Sequence, residues 1–248
     1  MEHINQKKHT TMGNYIYDYG HLKFTLNIPE YWEKIYNGKP REQLYMNYQK
    51  MLNLLRQKVS MDRYVLDIGC NHSIFSTPAS MLGYKVVAFE PVLENYQSSV
   101  FNMAANGCKD YNVFHLALSD KNEEAEIFIP ECFDNASFSK EAAVANMKGK
   151  EYRVENVQCV KFDDWILEHP EYSDIGFAKL DVQGFEMNVI LGMSEFLKQA
   201  KDIYLLVEFE NHLLTMGHTY EELEGLILSL GFIKQRDITG GDRLYYKL

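Results

Sequence analysis

The sequence predicts an α/β fold, a mainly parallel sheet with helices on both faces. Three observations carry this. From residue 64 onward, strand-like apolar runs end in polar or Gly-rich turns and helix-like stretches follow them. Near the carboxyl terminus, 232–235 and 243–247 flank Gly240-Gly241 and read as a closing hairpin, which puts one antiparallel strand into the sheet. Nothing repeats at a fixed period, so a solenoid is not expected.

The elements follow in order. The first dozen residues are polar and expected to fray. Segment 15–28 alternates loosely around Gly20-His21 and reads as a hairpin. In 40–58, Leu44, Tyr48, Met51, Leu52 and Leu55 recur at three- and four-residue steps, the signature of an amphipathic helix. Segment 64–68 is a strand, 75–82 a helix, 85–89 a buried strand, 93–105 a helix and 112–116 a third strand. An irregular stretch, 120–162, contains two strand candidates, 125–129 and 156–162. A short helix at 163–168 precedes a fourth core strand at 176–180 and a fifth at 203–209. Segment 220–230 is a helix with Leu223, Ile227 and Leu230 on one face. The simplest division is an N-terminal cap, 1–60, and a sheet-bearing domain, 61–248.

Composition narrows the function. The 248 residues hold 25 Lys+Arg against 35 Asp+Glu, a formal charge of −10. A protein that grips phosphates by counterion release needs a basic face, so nucleic acid is not the expected partner. A hydrophobic fraction of 46% with 24% charged residues is ordinary for a globular chain. Cys70, Cys108, Cys132 and Cys159 form no C-x-x-C pair and are expected to be free thiols. The start, MEHINQKKHT, has no apolar segment of the kind a secretory signal needs. The most apolar run, 203–209, is far short of the ~20 residues of a membrane helix. The expectation is a soluble, cytoplasmic protein with no membrane span.

In an open parallel sheet, ligands bind beyond the carboxyl ends of the strands. Those ends carry Asp67-Ile68-Gly69-Cys70-Asn71, Glu90-Pro91, Ala117-Leu118-Ser119-Asp120, Asp181-Val182-Gln183-Gly184 and Glu208-Phe209-Glu210-Asn211-His212. Acidic and small residues therefore crowd one rim. Gly69 has no Cβ to keep a ligand from the backbone. Glu90 lies 23 residues beyond Asp67, the spacing at which a carboxylate holds a ribose diol. The dinucleotide fingerprint would need glycines at 71 and 74, where the chain has Asn71 and Ile74. Without a pyrophosphate cradle, a nucleoside lacking phosphates is favoured, and S-adenosyl-L-methionine is the common one.

The residues resemble a known family. DIGCNHSIFS (67–76) is similar to the D-x-G-A-N-x-G-x-F-S motif of the FkbM family of S-adenosylmethionine-dependent methyltransferases. AFEP (88–91) resembles its second motif, and KLDVQGFE (179–186) its K-x-D-V-E-G-x-E signature. LALSD (116–120), VKFDDW (160–165) and IYNGK (35–39) are weaker echoes in the same order. The resemblance implies a Rossmann-like, seven-stranded methyltransferase sheet, mostly parallel with one antiparallel strand, under an N-terminal cap. It also implies methyl transfer to a hydroxyl of a sugar-like small molecule or glycan. Two positions depart from the pattern. Ser73 stands at the second glycine, and Gln183 where Glu is usual.

Under that resemblance the cofactor residues are Asp67, Gly69, Cys70, Asn71, Glu90, Pro91, Ala117, Leu118, Asp120 and Asp181. Glu90 takes the ribose hydroxyls, and Asn71 with the backbone of Gly69 and Cys70 lines the methionyl end. Ala117 and Leu118 flank adenine, Asp120 reaches its amino group and Asp181 faces the sulfonium methyl. A sugar hydroxyl needs a base as it is methylated. Asp181, Glu208 and His212 are the candidates, with Glu210 beside them. No metal site is predicted, although Asp181 with Glu208 could supply oxygen ligands to a divalent ion. Plainer roles compete. Glu186 reads as a charge at a helix N-terminus, His212 as an exposed loop histidine, and Trp165 with the early tyrosines as packing. The N-P-P-[YF] loop of amino-group methyltransferases is absent, which leans toward oxygen. The competing functions are a catalytically silent cofactor-binding module and a nicotinamide-dependent oxidoreductase.

Overall fold

A computed structural model describes residues 11–19, 21–30, 39–130, 135–144, 151–238 and 241–248. Twelve strands are β1 (Met12–Asp18), β2 (Lys23–Pro29), β3 (Tyr64–Ile68), β4 (Lys85–Phe89), β5 (Tyr111–Phe114), β6 (Ala117–Leu118), β7 (Glu123–Pro130), β8 (Tyr152–Val160), β9 (Ile175–Leu180), β10 (Ile203–Glu208), β11 (Ile233–Asp237) and β12 (Asp242–Lys247). The helices are α1 (Lys39–Lys58), α2 (Ser76–Met81), α3 (Leu93–Ala105), α4 (Lys140–Val144), α5 (Phe162–Glu168), α6 (Glu186–Gly192), α7 (Ser194–Gln199), α8 (His212–Thr215) and α9 (Tyr220–Ser229).

The main sheet has seven strands in the order β11-β12-β10-β9-β3-β4-β5. Its pairings from β10 through β5 are parallel. Both antiparallel ladders involve β12, so β12 runs against the other six. The β11–β12 pair thus delivers the reversed strand, and Gly240 lies outside the described residues. Alternation along each strand divides the core by face. Leu66, Ile68, Val87, Phe89, Ala178, Leu180, Leu205 and Val207 point to one side and pack under α5, α6, α7 and α9. Val65, Val86, Ala88, Phe177 and Leu206 point to the other, under α1, α2, α3 and the β1–β2 hairpin.

One sheet does not account for every strand. β1 and β2 form their own antiparallel pair. β6, β8 and β7 form a third sheet, in which Ala117 pairs with Cys159. Ala117-Leu118 therefore belongs to a small side sheet and not to the end of a main-sheet strand. The irregular stretch was readable as two strands, and the structure lengthens both and pairs them antiparallel from Glu123↔Cys159 to Pro130↔Tyr152. Cys70, Cys108 and Cys159 are free thiols, and Cys132 lies outside the described residues. So do the segment 35–38 of the IYNGK echo, Tyr31 and Tyr36. Among the described residues, no helix is long and apolar enough to cross a membrane.

The hairpin is tied to the sheet by amides. On α3, Asn102 Oδ1 accepts from the Asn27 N–H at 2.7 Å, and its Nδ2 donates to the Asn27 carbonyl at 3.1 Å and to the His72 carbonyl at 2.9 Å. One turn on, Asn106 repeats the pattern with the N–H and carbonyl of Thr25, at 3.0 and 2.7 Å. Asn102 is fully buried, so truncating it strands several polar groups at once. Asn102→Ala is expected to cost about 2–3 kcal/mol in urea unfolding and to make the β1–β2 hairpin the first site of limited proteolysis. Unchanged stability and cleavage would refute this coupling.

Candidate active site

The chain order reverses between β3 and β9, which are neighbours in the sheet although far apart in sequence. Such a switch point opens a crevice at the carboxyl ends of the strands. Here the turns after β3 and β9 touch. Asp181 N–H donates to the Ile68 carbonyl at 3.1 Å. Gly69 has φ +78°, and a Cβ on it would collide with the Asp181 carbonyl oxygen. The glycine is thus required by the partner turn. To the sequence-based reason, room for a ligand, the structure adds room for protein backbone.

Lys179 lies on β9, whose six residues are all buried. Its ammonium sits 2.9 Å from Asp181 Oδ2 and 3.8 Å from Asp67 Oδ1. Burial pulls the Lys179 pKa down, but Asp181 and Asp67 outweigh it and keep the group charged. Burial also pushes Asp181 up, and Lys179 overrides this, holding the carboxyl below its ordinary value. Asp67 is buried and its pKa is raised by that burial, against the pull of Lys179 and a 2.6 Å hydrogen bond from Ser76 Oγ. The nearer carboxylate, Asp181, is therefore the firmly anionic partner. Its side chain is 26% exposed, open to a ligand.

Beyond it, Gln183 Nε2 donates to Asp181 Oδ1 at 2.9 Å and to Glu208 Oε2 at 3.1 Å. Burial and the surrounding carboxylates, Asp181 first among them, hold Glu208 well above the ordinary range. Of the two acids, Glu208 therefore keeps its proton to higher pH than Asp181. Glu186 also differs from its plain reading. It is buried, accepts the N–H groups of Val182 and Gly184, and is pushed by burial to about 7. It clamps the turn in addition to starting α6. His212 is 8% exposed and not the solvent-facing histidine the sequence suggested. Its carbonyl lies where a Cβ on Gly184 would fall, at 2.6 Å, so the loop after β10 folds back onto the 181–185 turn. His212 Nδ1 is buried and accepts or donates no hydrogen bond.

The other half of the crevice is built around Glu90. Its Oε2 accepts from the Asn71 N–H at 2.9 Å and its Oε1 from the Val92 N–H at 3.0 Å, with Asn95 Nδ2 at 3.5 Å. Burial raises it to about 7. The backbone of Asn71 and Ser73 is left-handed, at φ +50° and +60°. Ser73 is accommodated because its hydroxyl shares a short hydrogen bond with Ser99 of α3. Cys70 buries its thiol, 3.5 Å from Ser99 Oγ, so only its backbone can face a ligand. Pro91 receives His115 Nε2 on its carbonyl at 2.9 Å. Ala117 and Leu118 are buried in two different cores. Asp120 Oδ1 accepts from Asn188 of α6 at 3.0 Å.

The structure thus gathers Asp67, Asp181, Glu208 and His212 about the switch point, with Asn71 and Glu90 one strand along. Three contributors were not singled out in the sequence. Lys179, a cation inside the apolar run IGFAKL, was the available signal. Gln183 was seen as a departure but not as a bridge. Tyr48 of α1 senses Lys179, Asp181 and Asp67, and burial raises its phenol well above the ordinary value. Its helical spacing marked it only as packing.

The chain matches the Methyltransferase FkbM domain over residues 67–234. It belongs to the FkbM methyltransferase family. No curated protein matches it. Among solved structures, it is similar to a 16S rRNA N2 G1207 methyltransferase of T. thermophilus, solved with AdoMet and guanosine. That likeness has TM-score 0.52 and 12% identity, over 98% of this chain and 52% of that one. The FkbM chain therefore spans about half the length of that protein. A magnesium protoporphyrin IX methyltransferase of Synechocystis PCC 6803, solved with bound SAM, is also similar, at TM-score 0.46 and 12% identity over 88% and 89% of the two chains. At these identities the first likeness concerns the fold alone.

The donor set of the FkbM site fits an adenosyl sulfonium. Glu90 Oε2 has one hydrogen bond and a carboxylate oxygen accepts two, so a hydroxyl donor can join it. Asp67 Oδ1 makes no hydrogen bond and faces the Lys179 ammonium at 3.8 Å, and the acids gathered at this end of the sheet suit a cationic ligand. Among the described residues, no group of three or more His, Cys, Asp or Glu is arranged to hold a metal ion.

Two expected outcomes follow from the turns. Ser73→Gly relieves the left-handed backbone while losing one hydrogen bond, so it should stay within about 1 kcal/mol of wild type. Ser73→Ala keeps the strain and leaves Ser99 with the Cys70 thiol as its remaining side-chain partner, and should be lower by about 1–3 kcal/mol. Alanine melting at or above glycine would contradict the assigned strain. For Glu186, the folded pKa of about 7 exceeds the unfolded 4.5. Its contribution is fully present below 4.5 and is lost as pH rises through 7. Wild type should therefore lose stability relative to Glu186→Gln between pH 5 and 8, on the order of 3 kcal/mol. Parallel melting curves across that range would rule out the raised carboxyl.

Proposed function

We propose that this FkbM chain is an S-adenosylmethionine-dependent O-methyltransferase acting on a hydroxyl of a sugar or similar small hydroxylated acceptor, with 1–60 as a cap on the catalytic domain. The observation that carries this reading is Asp181. It is an anion at the switch point, fixed by Lys179 on one oxygen and Gln183 on the other, and still partly exposed. An acceptor hydroxyl placed against it, within the ~2.6–3.2 Å reach of a general base, would find a proton acceptor already oriented.

The roles divide along the crevice. Glu90 would accept from the ribose hydroxyls, and the 69–71 backbone would line the methionyl end. Bound there, the cofactor would supply an electrophilic methyl on a sulfonium. Asp67 lends negative charge from beneath. Glu208, held above the ordinary carboxyl range by burial and the neighbouring acids, would be the weaker competitor for the acceptor's proton. The Phe138 ring lies tilted against Phe185 with centroids 4.3 Å apart, and Ser137 Oγ donates to the Gln183 carbonyl at 2.8 Å. With 137–138 beside the 183–185 turn, an aromatic face there would suit a sugar ring on the acceptor side. The rim's acidity favours a neutral or cationic acceptor over a phosphorylated one. A cytoplasmic location goes with the same reading.

Calorimetry with S-adenosylmethionine tests the cofactor half. Glu90→Ala is expected to weaken binding about 10- to 100-fold, the loss of a charge-assisted hydrogen bond. Equal affinity would sink the ribose contact. Release of S-adenosylhomocysteine with a panel of mono- and oligosaccharides tests the rest. Asp181→Asn should lower turnover about 10²–10⁴-fold with little change in cofactor affinity. Silence with every acceptor, alongside normal cofactor binding, would favour a binding module instead.

A further inference from the structure

Two carboxylates at the end of the sheet share one nitrogen. Gln183 Nε2 lies 2.9 Å from Asp181 Oδ1 and 3.1 Å from Glu208 Oε2. That nitrogen has two N–H donors, one for each acid. The arrangement is held against a backbone preference. Gln183 has φ +54°, a left-handed conformation that side chains adopt only at a cost. Ser137 fixes the residue from behind by donating to its carbonyl at 2.8 Å.

Neighbouring carboxylates do not both ionise cheaply, so the pair retains a proton. The surroundings of its two members differ. Asp181 has Lys179 on its second oxygen at 2.9 Å. The charged groups bearing on Glu208 are Asp181, Glu186 of α6, Glu210 after β10 and Asp242 of β12, all acids. Arg243 of β12 stacks on the Phe209 ring at 4.0 Å and pairs with Glu224 at 3.4 Å. On the Asp181 side, Asp67 of β3 and Tyr48 of α1 share the field of Lys179. Because Gln183 offers only N–H donors here, Glu208 Oε2 is kept as an acceptor and the carboxyl proton falls on the other oxygen. A third carboxylate at 183 would force a second proton into the cluster.

We propose that Gln183 is a positioning residue that lets the Asp181–Glu208 pair hold a single proton, carried by Glu208, with Asp181 left as the anion. Its use in turnover rests on the reading of Asp181 as the base: the acceptor O–H bond breaks and the proton joins an Asp181 carboxylate oxygen. The proton distribution itself does not depend on that reading.

The test is carbon-13 carboxyl titration by NMR on the full, ligand-free chain, with signals assigned through Glu208→Gln and Asp181→Asn. In wild type, Glu208 should ionise above the ordinary glutamate range and Asp181 below the ordinary aspartate range. Gln183→Met removes the bridging donor, and the acid dissociation constant of Asp181 should fall tenfold or more. Gln183→Glu should take up one further proton per chain near neutral pH. A wild-type titration with the proton on Asp181 overturns the proposal, whether or not the variants fold. So does an unmoved Asp181 in a folded Gln183→Met or Gln183→Glu chain. If turnover proceeds, the acid limb of its pH profile should shift with Asp181. Titrations as expected with a fixed acid limb would discard Asp181 as base and retain Gln183 as the bridge.

Discussion

Lys179 is an ammonium on a strand with no exposed residue, and the acidic end of the sheet is organised around it. A buried charge without partners is prohibitive, so carboxylates must come to it. Asp67 arrives from β3 and Asp181 from the turn after β9. Bringing both in presses two turns together until a glycine is needed at 69. One cation cannot neutralise the remaining acids, and each finds a different solution. Glu90 and Glu186 take backbone N–H groups, and Glu208 is held above the ordinary carboxyl range. The site's charge pattern is thus a consequence of how one strand was allowed to hold a lysine.

Much of this was legible in the sequence, and the reasons for the rest are physical. Apolar runs on both sides of the switch point are long enough to show their period, so β3, β4, β9 and β10 were placed within a residue or two. The strand-end rule then named Asp67, Glu90, Asp181 and Glu208 without further help. β6 has two residues, too few to carry any pattern, and its partner β8 lies some 40 residues on. Hence the side sheet that Ala117-Leu118 enters just beyond β5 was not foreseen. The fate of Gly69 and His212 depended on contacts with turns remote in sequence, which local reading does not see. Lys179 was visible as a charge in an apolar strand and as the first residue of KLDVQGFE, but neither says which acids the fold brings to it.

The two departures from the family pattern share a feature that composition would not reveal. Ser73 and Gln183 both adopt left-handed backbone, and both use their side chains to hold it. Ser73 leans on Ser99, while Gln183 spans two acids and is backed by Ser137. The site therefore meets two sharp turns with hydrogen bonds where a chain of smaller residues would meet them with freedom.

The amides of α3 have a different reach. Asn102 and Asn106 each offer a donor and an acceptor to β2, matching the alternate residues Thr25 and Asn27. They stand in for a neighbouring strand along that margin. A two-stranded ribbon ordinarily presents a row of bare N–H and carbonyl groups to which another molecule can add. Here that template is already occupied by side chains of the same chain, so the ribbon is closed to self-association at those positions.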